Sequence, residues 1–287
     1  MITLDDAWNS YLLTRPLTRN GYLRDTSRYR AHLAEYWHGK NLASIRTADI
    51  QKYTLNLYNK GLCQQTIKLC LSQMRRIMRR ALILDLYTGE IPFFEMPFSE
   101  SIRYRYLDEN EAKVLLKKLE TLSHLWYNIS KFALNTGMRA GEIFSLRGEN
   151  INFSQKSVIL YETKNKRQRL LPLNDVALEI IDGHMTRKEN FIFFQEKNPK
   201  KEYEKVSKVF RKAVYLCKLN DGVTDNRYKV VFYTLRHTFA SWLVQRGTPL
   251  FVVSKLLGHS STKVTERYSH LAPDQGRSAL SMLSAIF

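Results

Sequence analysis

At 287 residues and 44% hydrophobic content, the chain suits one or two domains and has ample apolar material to give each a core. Its 45 Lys and Arg against 27 Asp and Glu leave a formal charge of +18, which favours a polyanionic partner; the positive charge is spread over both halves rather than gathered in one tail or amphipathic helix, so nucleic acid fits better than a membrane surface. No leader-like apolar segment and no run of membrane-spanning length occurs, and Cys63, Cys70 and Cys217 form no C-x-x-C pair, which argues against a disulfide framework and for a reducing cytoplasm.

In chain order, Thr3 to about Leu86 reads as helical. Apolar residues recur at three- and four-residue spacings (Leu4, Trp8, Tyr11, Leu12, then Tyr29, Leu33, Tyr36, Trp37), and breaks at Pro16, Gly21, Gly39 and Gly61 mark off about four helices of a compact bundle. Thr47-Ala48-Asp49 opens the third helix and Lys60-Gly61 closes it. Cys63 and Cys70, seven apart on a helical pattern, read as small buried hydrophobes rather than a metal site, so neither metal nor cofactor is expected. The fourth helix carries Arg75, Arg76, Arg79 and Arg80, whose spacing groups them on one side as a candidate phosphate-contacting stripe; a solvated helix face is the plainer alternative.

From Gly89 the helical period stops and Pro92 and Pro97 appear, so residues 89–104 are expected to link a helical domain (1–88) to a second domain (105–287). Asp108 and Glu111 restart a helix as a capping box, with Val114, Leu115 and Leu119 as its apolar stripe. Residues 123–148 read as two more helices. Ile151–Phe153, Val158–Glu162 and Leu170–Leu173 read as a small antiparallel sheet, and after Asn174 helix is expected again, broken at Gly183 and at Asn198-Pro199. The fold class expected is mainly α with a small antiparallel β-sheet, the first domain all helix and the second α+β.

Four separated strings carry chemistry. Thr-Gly-Met-Arg-Ala-Gly-Glu-Ile sets Arg139 after a glycine turn at a helix start, with Glu142 placed to orient it. Thr234-Leu235-Arg236-His237 opens another helix; in Leu257-Gly258-His259, Gly258 can end a helix and deliver His259 at the turn. Nine residues on stands Tyr268, on what reads as a short helix from Thr262 to His270. Attack on a phosphodiester builds negative charge on nonbridging oxygens, and the planar, permanently charged fork of arginine suits it, so Arg139 and Arg236 are candidate phosphate ligands and Tyr268 a candidate nucleophile. His237 points about 100° away from Arg236 on an ideal helix and reads as structural.

These strings resemble the tyrosine recombinases, the phage-integrase family, with its signature Arg, Lys, His-x-x-Arg, Gly-His and a late Tyr. The resemblance covers residue 105 to the end, and the N-terminal helices look like the family's SAM-like core-binding domain. It implies that two lobes clamp a DNA duplex, that Arg139 and Arg236 bind the scissile phosphate, and that Tyr268 attacks it to give a 3′-phosphotyrosine and a free 5′-hydroxyl. Lys164, between two strands, fits the family's general acid, with Lys166 a competitor; His259 would bind phosphate or move the tyrosine proton. Where the family has His three residues before Arg236, this chain has Tyr233, a phenol that can donate to phosphate but not readily become cationic, so it is read as a site-lining donor.

The resemblance also implies double-stranded DNA sites as partners, four protomers on a Holliday junction, a C-terminal tail (Ala279 to Phe287) that docks on a neighbour, and accessory DNA-bending proteins. A tail packed on its own domain stands as the alternative. The N-terminus looks too short for the extra arm-site-binding domain of some integrases. Two rival functions share the scaffold: a DNA-binding regulator that has lost turnover, and an enzyme that relaxes DNA with the same tyrosine chemistry.

Overall fold

The computed structural model describes residues 2–14, 19–98, 103–162, 167–195 and 198–273. It divides into two compact units, Met1–Ile102 and Arg103–Phe287. Both are built mainly of helix, as the sequence suggests, and among the described residues antiparallel sheet lies in the second.

In the first unit, α1 (Leu4–Thr14) is followed by α2 (Arg19–Arg28), which runs through a π turn (Tyr29–Leu33) into α3 (Ala34–Trp37); α4 (Thr47–Asn59) and α5 (Gln64–Ile83) complete it. Gly21 lies inside α2 rather than breaking the chain. Trp8 stacks on Tyr29 at 4.3 Å, and Leu33, Trp37, Ile50, Tyr53, Leu71, Met74 and Met78 fill the core. At the π turn the Tyr53 hydroxyl donates to the carbonyl of His32 at 2.9 Å. Tyr87 and Phe94 close over the same core, so the extended segment after α5 packs on the first unit at its start. Cys70 is buried as expected, whereas Cys63 is exposed at the N-cap of α5.

The four arginines of α5 do not act alike. Arg80 donates to the Thr14 carbonyl at 2.7 Å, and Arg76 lies 3.4 Å from Asp25, a buried carboxylate that also takes Arg28 and the Tyr11 hydroxyl. Two of the stripe are thus drawn onto their own unit by partners more than fifty residues upstream. Among the described residues, Arg75 and Arg79 make no hydrogen bond or ion pair, which leaves them available to an external anion.

The second unit opens with α6 (Glu109–Leu122), whose capping box forms as read: the Glu111 N–H donates to Asp108 Oδ1 at 2.7 Å and the Asp108 N–H to Glu111 Oε2 at 3.1 Å. Leu115 and Leu119 are buried, but Val114 faces solvent, one position off the stripe. Next come α7 (His124–Thr136) and the short α8 (Ala140–Phe144), then β1 (Ile151–Asn152), β2 (Ser157–Glu162) and β3 (Arg167–Pro172), an antiparallel sheet in the order β1-β2-β3. α9 (Asp175–His184) follows and carries Gly183 in its last turn. A two-stranded ladder, β4 (Phe194–Gln195) with β5 (Asn198–Glu202), then stands where helix was expected. α10 (Lys208–Leu216), α11 (Phe232–Gln245) and α12 (Leu250–Leu257) complete the helices.

The segment after α12 is two 3-10 turns, Thr262–Val264 and Glu266–Leu271, not the single short helix its composition suggested. Among the described residues, no helix is long and apolar enough to cross a membrane.

Candidate active site

Helix α11 organises the site because neighbouring segments approach it from two sides. The side chain of Arg236, only 2% exposed, donates from Nη1 to the Gly137 carbonyl at 2.7 Å and from Nη2 to the Leu257 carbonyl at 2.6 Å. Gly137 ends α7 in the left-handed region (φ 62°) and Gly258 ends α12 likewise (φ 64°), so Arg236 pins together two turns that leave their helices abruptly. A side chain at Gly137 would run into the ring of Phe239. Immediately past these turns stand Arg139 and His259.

Arg139 is the N-cap of α8. Glu142, on the first turn, receives the Arg139 N–H at 2.8 Å on one oxygen and Arg139 Nη1 at 2.8 Å on the other, while Arg139 Nη2 reaches the Gly258 carbonyl at 3.3 Å. With 41% of its side chain exposed, Arg139 presents the outward guanidinium and Arg236 the buried one. Burial alone would raise the Glu142 carboxyl, but the charge of Arg169, the Arg139 N–H and the Arg139 charge outweigh it and hold it below the ordinary carboxylate value. Burial, followed by the like charge of Arg139, pulls Arg236 down to about 10, so this buried guanidinium still stays charged at neutral pH.

His259 is fixed by Thr265, 2.8 Å from Nδ1 to Oγ1. Its imidazole is depressed to about 4 by burial first and then by Arg236, Arg139, Arg267 and Arg169, so it is neutral at physiological pH and can donate from one nitrogen and accept at the other. Tyr268, 6% exposed, packs with Ala240, Val244, Val253 and Leu257, and its Oη lies 2.5 Å from Nδ1 of His237. Burial and the neighbouring Tyr233 raise the phenol above its ordinary value, against the pull of Arg267 and Arg236. Tyr233 is 43% exposed and meets the His237 ring edge-on at 4.7 Å.

The structure therefore brings Arg139, Glu142, Arg236, His259, Tyr233 and Tyr268 to one region of the second unit. Lys164, its competitor Lys166 and the tail from Ala279 to Phe287 lie outside the described residues. Two members were not singled out by sequence. His237 does diverge from Arg236 around α11, but the turn carrying Tyr268 docks on that second side, so the residue read as structural touches the candidate nucleophile. Arg169 of β3 donates to Glu142 Oε2 at 3.0 Å. Its signal was present in the strand: it alternates with the buried Leu171, an apolar register in which a charge is out of place.

Burial first, then Arg267 and Arg236, depresses His237 to about 3. In the unfolded chain a histidine titrates near ~6.5, so on acidification the unfolded state takes up a proton that the folded state refuses. The stability is whole above that value and is lost as pH falls towards the folded one, by on the order of 2 kcal/mol between pH 7 and pH 5. Urea unfolding at pH 7 and pH 5 should show His237→Asn losing less stability than the parent by about that amount; equal losses would contradict a neutral, buried imidazole.

Known proteins resemble this chain over most of its length. The Phage integrase family profile matches residues 105–275, and that of the phage integrase N-terminal SAM-like domain matches residues 6–82. The chain belongs to the phage integrase family. Within it, the integrase of Salmonella phage P22 is 27% identical over 226 residues, covering 76% of this chain and 57% of that protein, so the chain spans little more than half of that relative's length. The tyrosine recombinase XerC of Staphylococcus carnosus is 28% identical over 275 residues, 91% of this chain and 88% of that one. Among solved structures, a lambda integrase tetramer bound to a Holliday junction shares the fold, with a TM-score of 0.75 and 18% identity over 96% of this chain and 78% of that one.

Proposed function

We propose that this protein is a site-specific DNA recombinase that breaks and rejoins strands through a 3′-phosphotyrosine. Tyr268 Oη attacks the scissile phosphorus; an O–P bond forms, the bond to the 5′-oxygen breaks, and a 5′-hydroxyl on a partner duplex later reverses the step through a Holliday junction. Arg139 and Arg236 neutralise the nonbridging oxygens, a role worth several kcal/mol in a site of fixed donors, about 10²–10³ in rate per donor. His259, neutral and anchored by Thr265, binds the phosphate or relays the phenol proton, and Tyr233 lines the site as a donor. The leaving 5′-oxygen takes its proton from Lys164, which falls in sequence between β2 and β3.

The observation that carries this reading is the Arg236 clamp. One buried guanidinium spans the turns that present Arg139 and His259, and the next residue along α11 touches Tyr268, so groups more than a hundred residues apart share one locus. In the resting geometry Tyr268 is a buried phenol held by His237, so cleavage requires the turn Glu266–Leu271 to release it towards the arginines. Duplex DNA is the partner the +18 charge favours, with Arg75 and Arg79 as backbone contacts. Four protomers, exchange of the tail Ala279 to Phe287 between neighbours, accessory bending proteins and a cytoplasmic, nucleoid-associated setting complete the proposal.

The test is strand exchange. Incubation with two differently labelled duplexes carrying the target site, recovered by sequencing junctions made on genomic DNA, should give recombinant duplexes and a protein–DNA adduct whose linked peptide contains Tyr268. Adduct with relaxed circles but no exchange would make the protein a relaxing enzyme, and binding with no adduct an inert regulator.

A further inference from the structure

Among the charged side chains of the second unit, Arg169 stands where a strand of this sheet has no ordinary use for a charge. In the β2–β3 ladder Val158 pairs with Leu171 and Leu160 with Arg169, and directly opposed residues project from the same face, so Arg169 shares its face with three buried aliphatic side chains. Its own side chain is 13% exposed. Burying a guanidinium is unfavourable unless it is paired, and here Nη2 donates to Glu142 Oε2 at 3.0 Å. The same carboxylate holds Arg139 through its N–H and through Nη1, each at 2.8 Å.

The Gly258 turn closes the circuit. A Cβ on Gly258 would lie 2.0 Å from Arg169 Nη1, 2.6 Å from Cζ and 2.8 Å from Cδ, so the guanidinium lies directly against the glycine, and a side chain there would displace it. The carbonyl of the same Gly258 accepts from Arg139 Nη2 at 3.3 Å. Strand β3, Arg169, Glu142, Arg139 and Gly258 therefore form a closed ring of contacts, with the outward guanidinium of the site held from two directions.

We propose that Arg169 is a positioning residue for DNA cleavage: by anchoring Glu142 and bearing on Gly258 it fixes Arg139 against the scissile phosphate and ties that arginine to the hairpin strand β3. This rests on the recombinase reading given above. An arginine suits the task where a lysine would not, because one edge of its planar fork can bond the carboxylate while its flat face lies on a peptide. Glu142 sits on the same short helix as Arg139 and could turn with it; Arg169 comes from the sheet and supplies a fixed reference. Two guanidinium groups and one carboxylate leave this cluster cationic, and after burial and the charge of Arg236, Arg139 and Arg169 also help keep His259 neutral.

The experiment compares single-turnover cleavage of a nicked duplex bearing either an ordinary scissile phosphate or a methylphosphonate, which lacks the charged nonbridging oxygen that Arg139 serves. Arg169→Met is expected to bind the duplex within about threefold of the parent but cut the phosphate about 100-fold more slowly, the scale set by a misplacement near one ångström. On the methylphosphonate its deficit should shrink below about tenfold, since a displaced Arg139 then matters less. Arg169→Lys, which keeps a charge that can reach Glu142, should recover about tenfold on the phosphate. Gly258→Ala pushes Arg169 away without removing its charge, and because a side chain at φ 64° also strains the turn that carries His259, it is the substrate selectivity of its loss, not the size, that should match Arg169→Met, a second route to the answer if Arg169→Met folds poorly. Equal deficits on the two substrates, or cutting of the phosphate by Arg169→Met within threefold of the parent, would overturn the assignment while leaving the recombinase reading intact. A parent protein that cuts neither substrate overturns both.

Discussion

Tyr268→Phe should bind a duplex carrying the target site as tightly as the parent and form no covalent adduct on a nicked substrate, a loss of at least about 10⁴-fold, as expected when the only nucleophile of a covalent mechanism is removed. The two properties separate because the hydroxyl forms the new bond to phosphorus, while the ring packs on Ala240, Val244, Val253 and Leu257 and stays when the oxygen is deleted. The one structural debt is at His237, whose Nδ1 loses its partner at 2.5 Å; a buried polar atom left unpaired costs about 1–3 kcal/mol, so the variant should be somewhat less stable yet folded. Gel-resolved adduct formation, alongside thermal unfolding and a binding isotherm, measures all three quantities. Adduct persisting at the parental rate would assign the nucleophile to another tyrosine, and the chain has 16.

The residues legible from sequence were those announced by a glycine. Gly137 before Arg139 and Gly258 before His259 both take positive φ at a helix end, and such turns signal where a functional side chain leaves the regular structure. Arg236 and Tyr268 were legible through their order relative to those turns. What escaped was what a second segment brings to a first. The helical wheel gave the direction of His237 correctly, but direction does not say that the Glu266–Leu271 turn lies there. Likewise the spacing of Arg76 and Arg80 is right for a shared face, and only the fold reveals that Asp25 and the Thr14 carbonyl wait on that face.

Local patterns also reach their limit in short elements. β4 has two residues and β5 is built of Asn, Pro, Lys and Glu, so no alternation marks them; their pairing depends on the buried Phe191, Ile192 and Phe193 fixing the chain just before. The stretch from Thr262 to Leu271 holds too few residues for a 3.6-residue period to be told from a tighter 3-10 one, and the Ser261 side chain accepts from the Lys263 N–H to start the tighter turn. Arg169 was the exception, legible in principle from its phase with Leu171.

Arg236 differs from Arg139 in being structural and chemical at once, and its substitution should show both effects. Arg236→Ala leaves the carbonyls of Gly137 and Leu257 without the donors at 2.7 and 2.6 Å, in a place that water does not readily reach, so stability should fall by roughly 2–5 kcal/mol. The two turns then lose the bolt between them, and Arg139 and His259 drift apart as the charge at the phosphate is also lost; cleavage should drop by more than the about 10²–10³-fold expected for one donor. Arg236→Lys separates the contributions. An ammonium keeps the charge but cannot span two carbonyls in one plane, so it should restore part of the stability while leaving single-turnover cleavage at least about 100-fold below the parent. Arg139→Lys, at a position with 41% of its side chain exposed, gives up the longer 3.3 Å bond to the Gly258 carbonyl but can keep its pairing with Glu142, so it should slow cleavage with a smaller loss in urea unfolding than Arg236→Ala. If Arg236→Lys cut within tenfold of the parent, the geometry of the fork would be dispensable and Arg236 would be reduced to a fixed positive charge.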